Sequence, residues 1–102
     1  MIPLISQHVG ELAELCRRHH VKRLDVFGSA AVGDFNSEKS DIDFLVEFGD
    51  APRKPWYGNH IDLKKDLASL FNREVDLVDY TAIKNPYFRK SVDETREQIY
   101  EA

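Results

Sequence analysis

A chain of 102 residues, 42% hydrophobic and 31% charged, has material for one modest core and excludes two full domains. Fourteen Lys and Arg against eighteen Asp and Glu give a formal net charge of −4. That is the wrong sign for holding nucleic acid by bulk electrostatics, so any nucleotide it takes is small and no stable nucleic-acid binding is expected. The single cysteine, Cys16, has no internal partner and reads as packing in a reducing compartment. No run approaches the ~20 apolar residues of a membrane span, and the first residues lack a basic stretch leading into an apolar one, so a cytoplasmic protein with no membrane partner is expected.

Ile5, Val9, Leu12 and Cys16 recur at three- and four-residue spacing, which predicts one amphipathic helix over 4–20. The run 21–27 is short, rich in β-branched and aromatic residues, and leads into Gly28, as a strand entering a tight turn would. Over 42–48 the even positions Ile42, Phe44, Val46 and Phe48 are apolar, while the odd positions from Asp41 read Asp, Asp, Leu, Glu, the mark of a strand with two unlike faces. The stretch 49–55, with two prolines and a glycine, reads as a surface loop. Leu63, Leu67, Leu70 and Phe71 mark a second long helix, with Asn72 where a left-handed cap is common. A third strand over 74–79 sends Val75 and Leu77 to the core and Asp76 to the other face, and Asp79 starts a turn toward Thr81. Asn85-Pro86 supplies a cap and a first-turn proline for a last helix with Phe88, Val92, Thr95 and Ile99 in line. Residues 1–102 are thus expected to form a single α/β domain, a small mixed sheet of three or more strands with helices packed on one face and the other face open.

The informative constellation is Gly28-Ser29, eleven residues, then Asp41-Ile42-Asp43. Side chains two apart on a strand project from one face with Cα atoms roughly 6.6 Å apart, so the two carboxylates can share a hard divalent ion, with a ligand's phosphates completing its shell. Strand phase adds Asp76 as a third carboxylate. Three carboxylates suffice for two ions roughly 4 Å apart, Mg²⁺ or Mn²⁺, one acidifying an attacking hydroxyl and one steadying a leaving pyrophosphate. Gly28 and Ser29 open a short helix where backbone N–H groups and the Ser29 hydroxyl can meet phosphate. Gly28 and Gly33 also have P-loop separation, but Asp34-Phe35 stand where Lys and Ser or Thr are required. His8, His19, His20 and His60 lack zinc spacing and read as surface residues. Trp56, Tyr57, Tyr80, Tyr87 and Phe88 are candidates for a partner patch or for core-capping aromatics.

Phe27-Gly28-Ser29, the strand carrying Asp41-Ile42-Asp43, and Val75-Asp76-Leu77-Val78 resemble the minimal nucleotidyltransferase family of the DNA polymerase β superfamily, over nearly the whole chain. The resemblance implies that fold and transfer of a nucleoside monophosphate, AMP from ATP, to a hydroxyl. It implies that Asp41 and Asp43 bind metal, that Asp76 completes the catalytic and metal triad, and that Gly28 and Ser29 bind the nucleotide. Members of this size are often antitoxins paired with a small all-helical ribonuclease toxin encoded nearby, some adenylylating a toxin tyrosine. Such a toxin is therefore the implied partner, in a homo- or hetero-oligomer. Many relatives carry an arginine after Gly-Ser, whereas this chain reads Ala30-Ala31-Val32-Gly33, which leaves Lys39, Lys64, Lys65 or Arg73 to supply charge. The second reading is a catalytically weak or inactive scaffold that neutralises its toxin by binding.

Overall fold

The computed structural model describes residues 2–32, 41–49 and 58–102. The expectations about Gly33, Asp34, Phe35, Lys39, residues 50–55, Trp56 and Tyr57 lie outside them. The single first helix expected over 4–20 is two helices, α1 (Pro3–Ser6) and α2 (Val9–Arg18). The break falls at His8, whose φ of −116° and ψ of 15° leave the helical region. Its ring nitrogen lies 2.7 Å from the Leu4 carbonyl, and its ring meets Phe71 edge-on at 5.3 Å. The break lets Ile5 and Leu12 both reach full burial, while Val9 between them turns outward, 37% exposed. A continuous helical stripe would have buried all three.

Strand β1 (Val21–Phe27) runs into a turn at Gly28 and the short helix α3 (Ser29–Val32). Strand β2 (Ile42–Phe48), helix α4 (Gly58–Phe71) and strand β3 (Val75–Asp79) follow. Asn72 takes φ 51°, the expected left-handed cap, which suits an Asn better than most residues. Asp79 accepts from the Thr81 amide at 3.0 Å and its hydroxyl at 2.7 Å, holding the 3₁₀ turn Tyr80–Ala82. Helix α5 (Pro86–Thr95) opens on Asn85, whose side chain accepts from the Tyr87 and Phe88 amides.

Helix α5 stops at Thr95, and residues Glu97–Glu101 form a fourth strand, β4, where the sequence pattern extends the last helix to Ile99. Two forces turn the chain there. Arg96, at φ −60° and ψ 139°, donates from Nε to Oδ2 of the fully buried Asp25 at 2.6 Å. Beyond it the backbone of β4 pairs antiparallel with Arg23–Val26, so the N–H and C=O groups on that edge of β1 find partners. The sheet order is β3-β2-β1-β4, with β2 antiparallel to β1 and parallel to β3.

The main core lies on one face, where Leu24, Val26, Ile42, Phe44, Val46 and Val75 pack under Leu12 and Cys16 of α2 and Leu63 and Leu67 of α4. Each large apolar side chain buried there contributes about 1.5–3 kcal/mol by leaving water. Cys16 belongs to this layer; burial pushes its thiol up to about 12, so it is inert packing. The other face is less open than expected. Phe27, Leu45, Ile83 and Val92 form a second, smaller cluster there, which explains the lone leucine on the polar side of β2. Among the described residues no helix is long and apolar enough to cross a membrane.

Candidate active site

Phe27 of β1 pairs with Asp43 of β2, and Asp43 pairs with Asp76 of β3. Residues in register across a sheet share a face, so the three side chains form one row on the face opposite the main core. Asp76 is exposed and Asp43 half-buried, while Asp41, just before β2, is exposed at the rim. The Asp43 carboxyl is pushed up to about 6, first by burial, then by the charge of Asp76 and a hydrogen bond with it, and least by the charge of Asp41. Asp43 and Asp76 therefore meet within hydrogen-bond reach, and Asp41 acts on Asp43 through its charge alone. Among the described residues no three of His, Cys, Asp and Glu converge into a finished cage. The donor set still fits a hard cation. All its atoms are carboxylate oxygens, and both causes that raise the Asp43 pKa, burial first and then the neighbouring carboxylate, are ones a divalent charge would offset.

The turn after β1 is built against this pair. Gly28 has φ +70°, and a Cβ there would lie 2.7 Å from Oδ2 of Asp43, so only glycine lets the backbone lie against the carboxylate. Gly28→Ala is expected to cost about 1–2 kcal/mol in stability from the left-handed backbone alone. It should also displace the Asp43 carboxylate, lowering divalent-cation affinity; calorimetric titration with Mn²⁺ and a thermal melt read the two effects separately.

The Gly28 N–H does not face a ligand, contrary to the expectation that the turn's amides are free for phosphate. It donates to Oγ1 of Thr95 at 3.0 Å, and the Gly28 carbonyl accepts from the Ala31 amide at 3.1 Å. Ser29, half-buried, opens α3 beside them. A cleft of about 300 Å³ adjoins the row, lined by Phe27, Asp43 and Asp76 together with Lys64 of α4 and Phe88 of α5. Of the described lysines and arginines named as phosphate partners, Lys64 lines it and Lys65 and Arg73 do not.

The aromatic group separates by role. Tyr80 is half-buried beneath the guanidinium groups of Arg96 and Arg89, 4.5 and 4.9 Å from its centroid. Tyr87 is 83% exposed, and Phe88, 41% exposed, meets Phe27 edge-on at 6.2 Å. Two histidines expected at the surface are structural: His8 at the helix break, and His19, whose Nε2 lies 2.6 Å from Asp66 and joins α2 to α4. Thr95, read only as part of a helix stripe, and the buried Asp25 with Arg23 and Arg96 escaped the sequence patterns. The one available signal was a charged residue inside an otherwise apolar strand.

The chain's relatives agree with this architecture. Residues 9–99 match the nucleotidyltransferase domain family. A candidate protein adenylyltransferase of Methanocaldococcus jannaschii is 39% identical over 94 residues, covering 84% of this chain and 92% of that protein. The protein adenylyltransferase MntA of Thermococcus cleftensis is 34% identical over 82 residues, covering 80% of this chain and 76% of that one. A solved structure of a candidate minimal nucleotidyltransferase superposes with TM-score 0.74 at 32% identity, covering 90% of this chain and 89% of that one. A toxin–antitoxin crystal structure with AMP-PNP superposes with TM-score 0.69, covering 92% of this chain and 73% of that one, and at 24% identity speaks to the fold alone. With the fold, the carboxylate-bearing strands and the Gly-Ser turn all in their places, this chain belongs to the nucleotidyltransferase domain family and is a minimal nucleotidyltransferase.

Proposed function

We propose that this protein transfers AMP from ATP to a hydroxyl of a partner protein, a small helical toxin, and acts in the cytoplasm as the antitoxin of the pair. The observation that carries the reading is the row of Asp43 and Asp76 with Gly28 set against Asp43, which gathers acidic ligands and a close-approach backbone at one edge of a cleft. The names of the archaeal relatives support a protein acceptor, and the fold shared with a chain of the toxin–antitoxin complex motivates the choice of a toxin as that partner. Mg²⁺ or Mn²⁺ held by Asp41, Asp43 and Asp76 would neutralise triphosphate charge and acidify the acceptor hydroxyl.

The chain's own residues do the positioning. Gly28 removes the Cβ that would hold the triphosphate off the sheet, and the Ser29 hydroxyl donates to a phosphate oxygen. Lys64 offers positive charge from α4, in place of the arginine absent after Gly28-Ser29. The acceptor oxygen attacks the α-phosphorus in line, and the bond from that phosphorus to the bridging oxygen breaks. Pyrophosphate leaves with the electron pair, and the hydroxyl proton passes to the exposed carboxylate of Asp76.

The test is incubation with α-³²P-labelled ATP, Mg²⁺ and the product of the adjacent gene, with Asp41→Asn as control. Label on that protein, absent from the control and absent when the γ-phosphate carries the label, is the expected result. Tight binding with no transfer by the wild type would instead establish the inhibitory scaffold.

A further inference from the structure

We infer that Thr95 is a positioning residue for the nucleotide-facing turn, holding Gly28 against Asp43 through the Gly28 N–H; this rests on the nucleotidyl-transfer reading of that site. The link joins residues 67 apart in sequence, at 3.0 Å. A threonine hydroxyl has one proton and two acceptor lone pairs. Here Oγ1 lies 3.3 Å from the Ser91 carbonyl and 3.5 Å from that of Val92, so its proton turns back along α5 and a lone pair is left for Gly28.

The hydroxyl is held in place from the next residue. Arg96 is bound to the fully buried Asp25, at 2.6 Å from Nε, and to Asp93, at 3.3 Å from Nη1. Its guanidinium also lies over the Tyr80 ring. The last turn of α5 is thus anchored to β1, the strand that ends in Gly28. Gly28 in turn touches a carboxylate that its own missing Cβ makes room for. A left-handed glycine with an unbonded N–H has several backbone states; one hydrogen bond to a fixed hydroxyl selects the state that leaves the carboxylate row undisturbed.

Thr95→Val keeps the shape and removes the acceptor; Thr95→Ser keeps the acceptor. Two quantities are read on each: hydrogen exchange at the ¹⁵N-labelled Gly28 amide, and kcat and KM for ATP. In Thr95→Val the exchange is expected to quicken about tenfold and kcat/KM to fall about tenfold, mainly through KM. Thr95→Ser should restore both. Unchanged exchange in Thr95→Val, a lowered KM that would mean Thr95 competes with phosphate for the N–H, or equal impairment of the Ser variant each overturn the proposal. If Thr95→Val does not fold, Thr95→Ala reports the same two quantities. Should the wild type itself transfer no label, the transfer reading has failed, and the Gly28 exchange rate still decides whether Thr95 holds the turn.

Discussion

Asp43→Asn is expected to lower nucleotidyl transfer on the order of 10³-fold while raising the melting temperature of the cation-free protein. The first effect follows from the proposed role of Asp43 as a charged cation ligand at the centre of the row; losing several kcal/mol of charge stabilisation costs a factor of ten per 1.36 kcal/mol. The second follows from the native environment of Asp43, where burial and then Asp76 push its carboxyl from 3.8 to about 6. A carboxyl with a raised folded pKa is held more tightly as the acid in the native state than in the unfolded chain. Its contribution to stability is fully present below about 4, declines as pH rises to about 6, and stays lost above that.

Calorimetric melts in EDTA from pH 4 to 8 should therefore show the wild type falling behind Asp43→Asn across that window, with parallel curves above it. Mg²⁺ should raise the wild-type melting temperature at pH 7.5, where the Asp43 carboxyl is ionised, and do little at pH 5, where it is protonated. A variant that melts below the wild type at pH 7.5 in EDTA, or that retains transfer, would refute this account of the site.

Arg96→Met is expected to be the most destabilising exchange outside the apolar core, costing about 3 kcal/mol, toward the low end for a broken buried pair because Arg23 remains. Asp25 has no solvent exposure, and its two oxygens are divided between Arg23, at 3.0 Å, and Arg96, at 2.6 Å. Removing Arg96 leaves one oxygen of a buried carboxylate without its cation. Such a loss is a large share of the ~5–15 kcal/mol that stabilises a typical domain. It should also loosen β4, whose pairing with β1 starts at the very next residue, Glu97. Urea unfolding gives the number, and amide exchange along Glu97–Glu101 tests the loosening. The double exchange Asp25→Leu with Arg96→Met should recover most of the stability, since an apolar pair needs no charge compensation. If the single exchange costs less than about 1 kcal/mol, an ordinary surface pair, Asp25 is not the anchor described above.

Much of this molecule is legible locally. Strand β1 and the turn at Gly28 follow from a short β-branched and aromatic run that ends in a glycine, and strand β2 from alternation; Asn72 stops α4 by taking the left-handed region, and Asn85 starts α5 through its side chain. The same period of two sets Asp43 and Asp76 on one face, because register and phase together leave an aspartate no other direction once Ile42, Phe44, Val75 and Leu77 enter the core. Those features depend on residues close in the chain.

Ile99 shows where local reading stops. It continues the helical spacing of Phe88, Val92 and Thr95 and equally suits a strand; Asp25, 71 residues from Arg96, decides between them by drawing the chain to the edge of β1. Likewise His8 breaks the first helix because its ring finds Phe71 from α4, and Leu45 is buried because α5 returns to cover it. The inward turn of the Gly28 N–H depends on a hydroxyl 67 positions away. The sequence by itself determined the sheet's phase and the face on which Asp43 and Asp76 lie, since both are set by neighbours one to four positions apart. Only the tertiary structure decided the fourth strand, the second layer and the hold on the turn, because each depends on a buried polar or apolar group satisfied by a partner that no local period encodes.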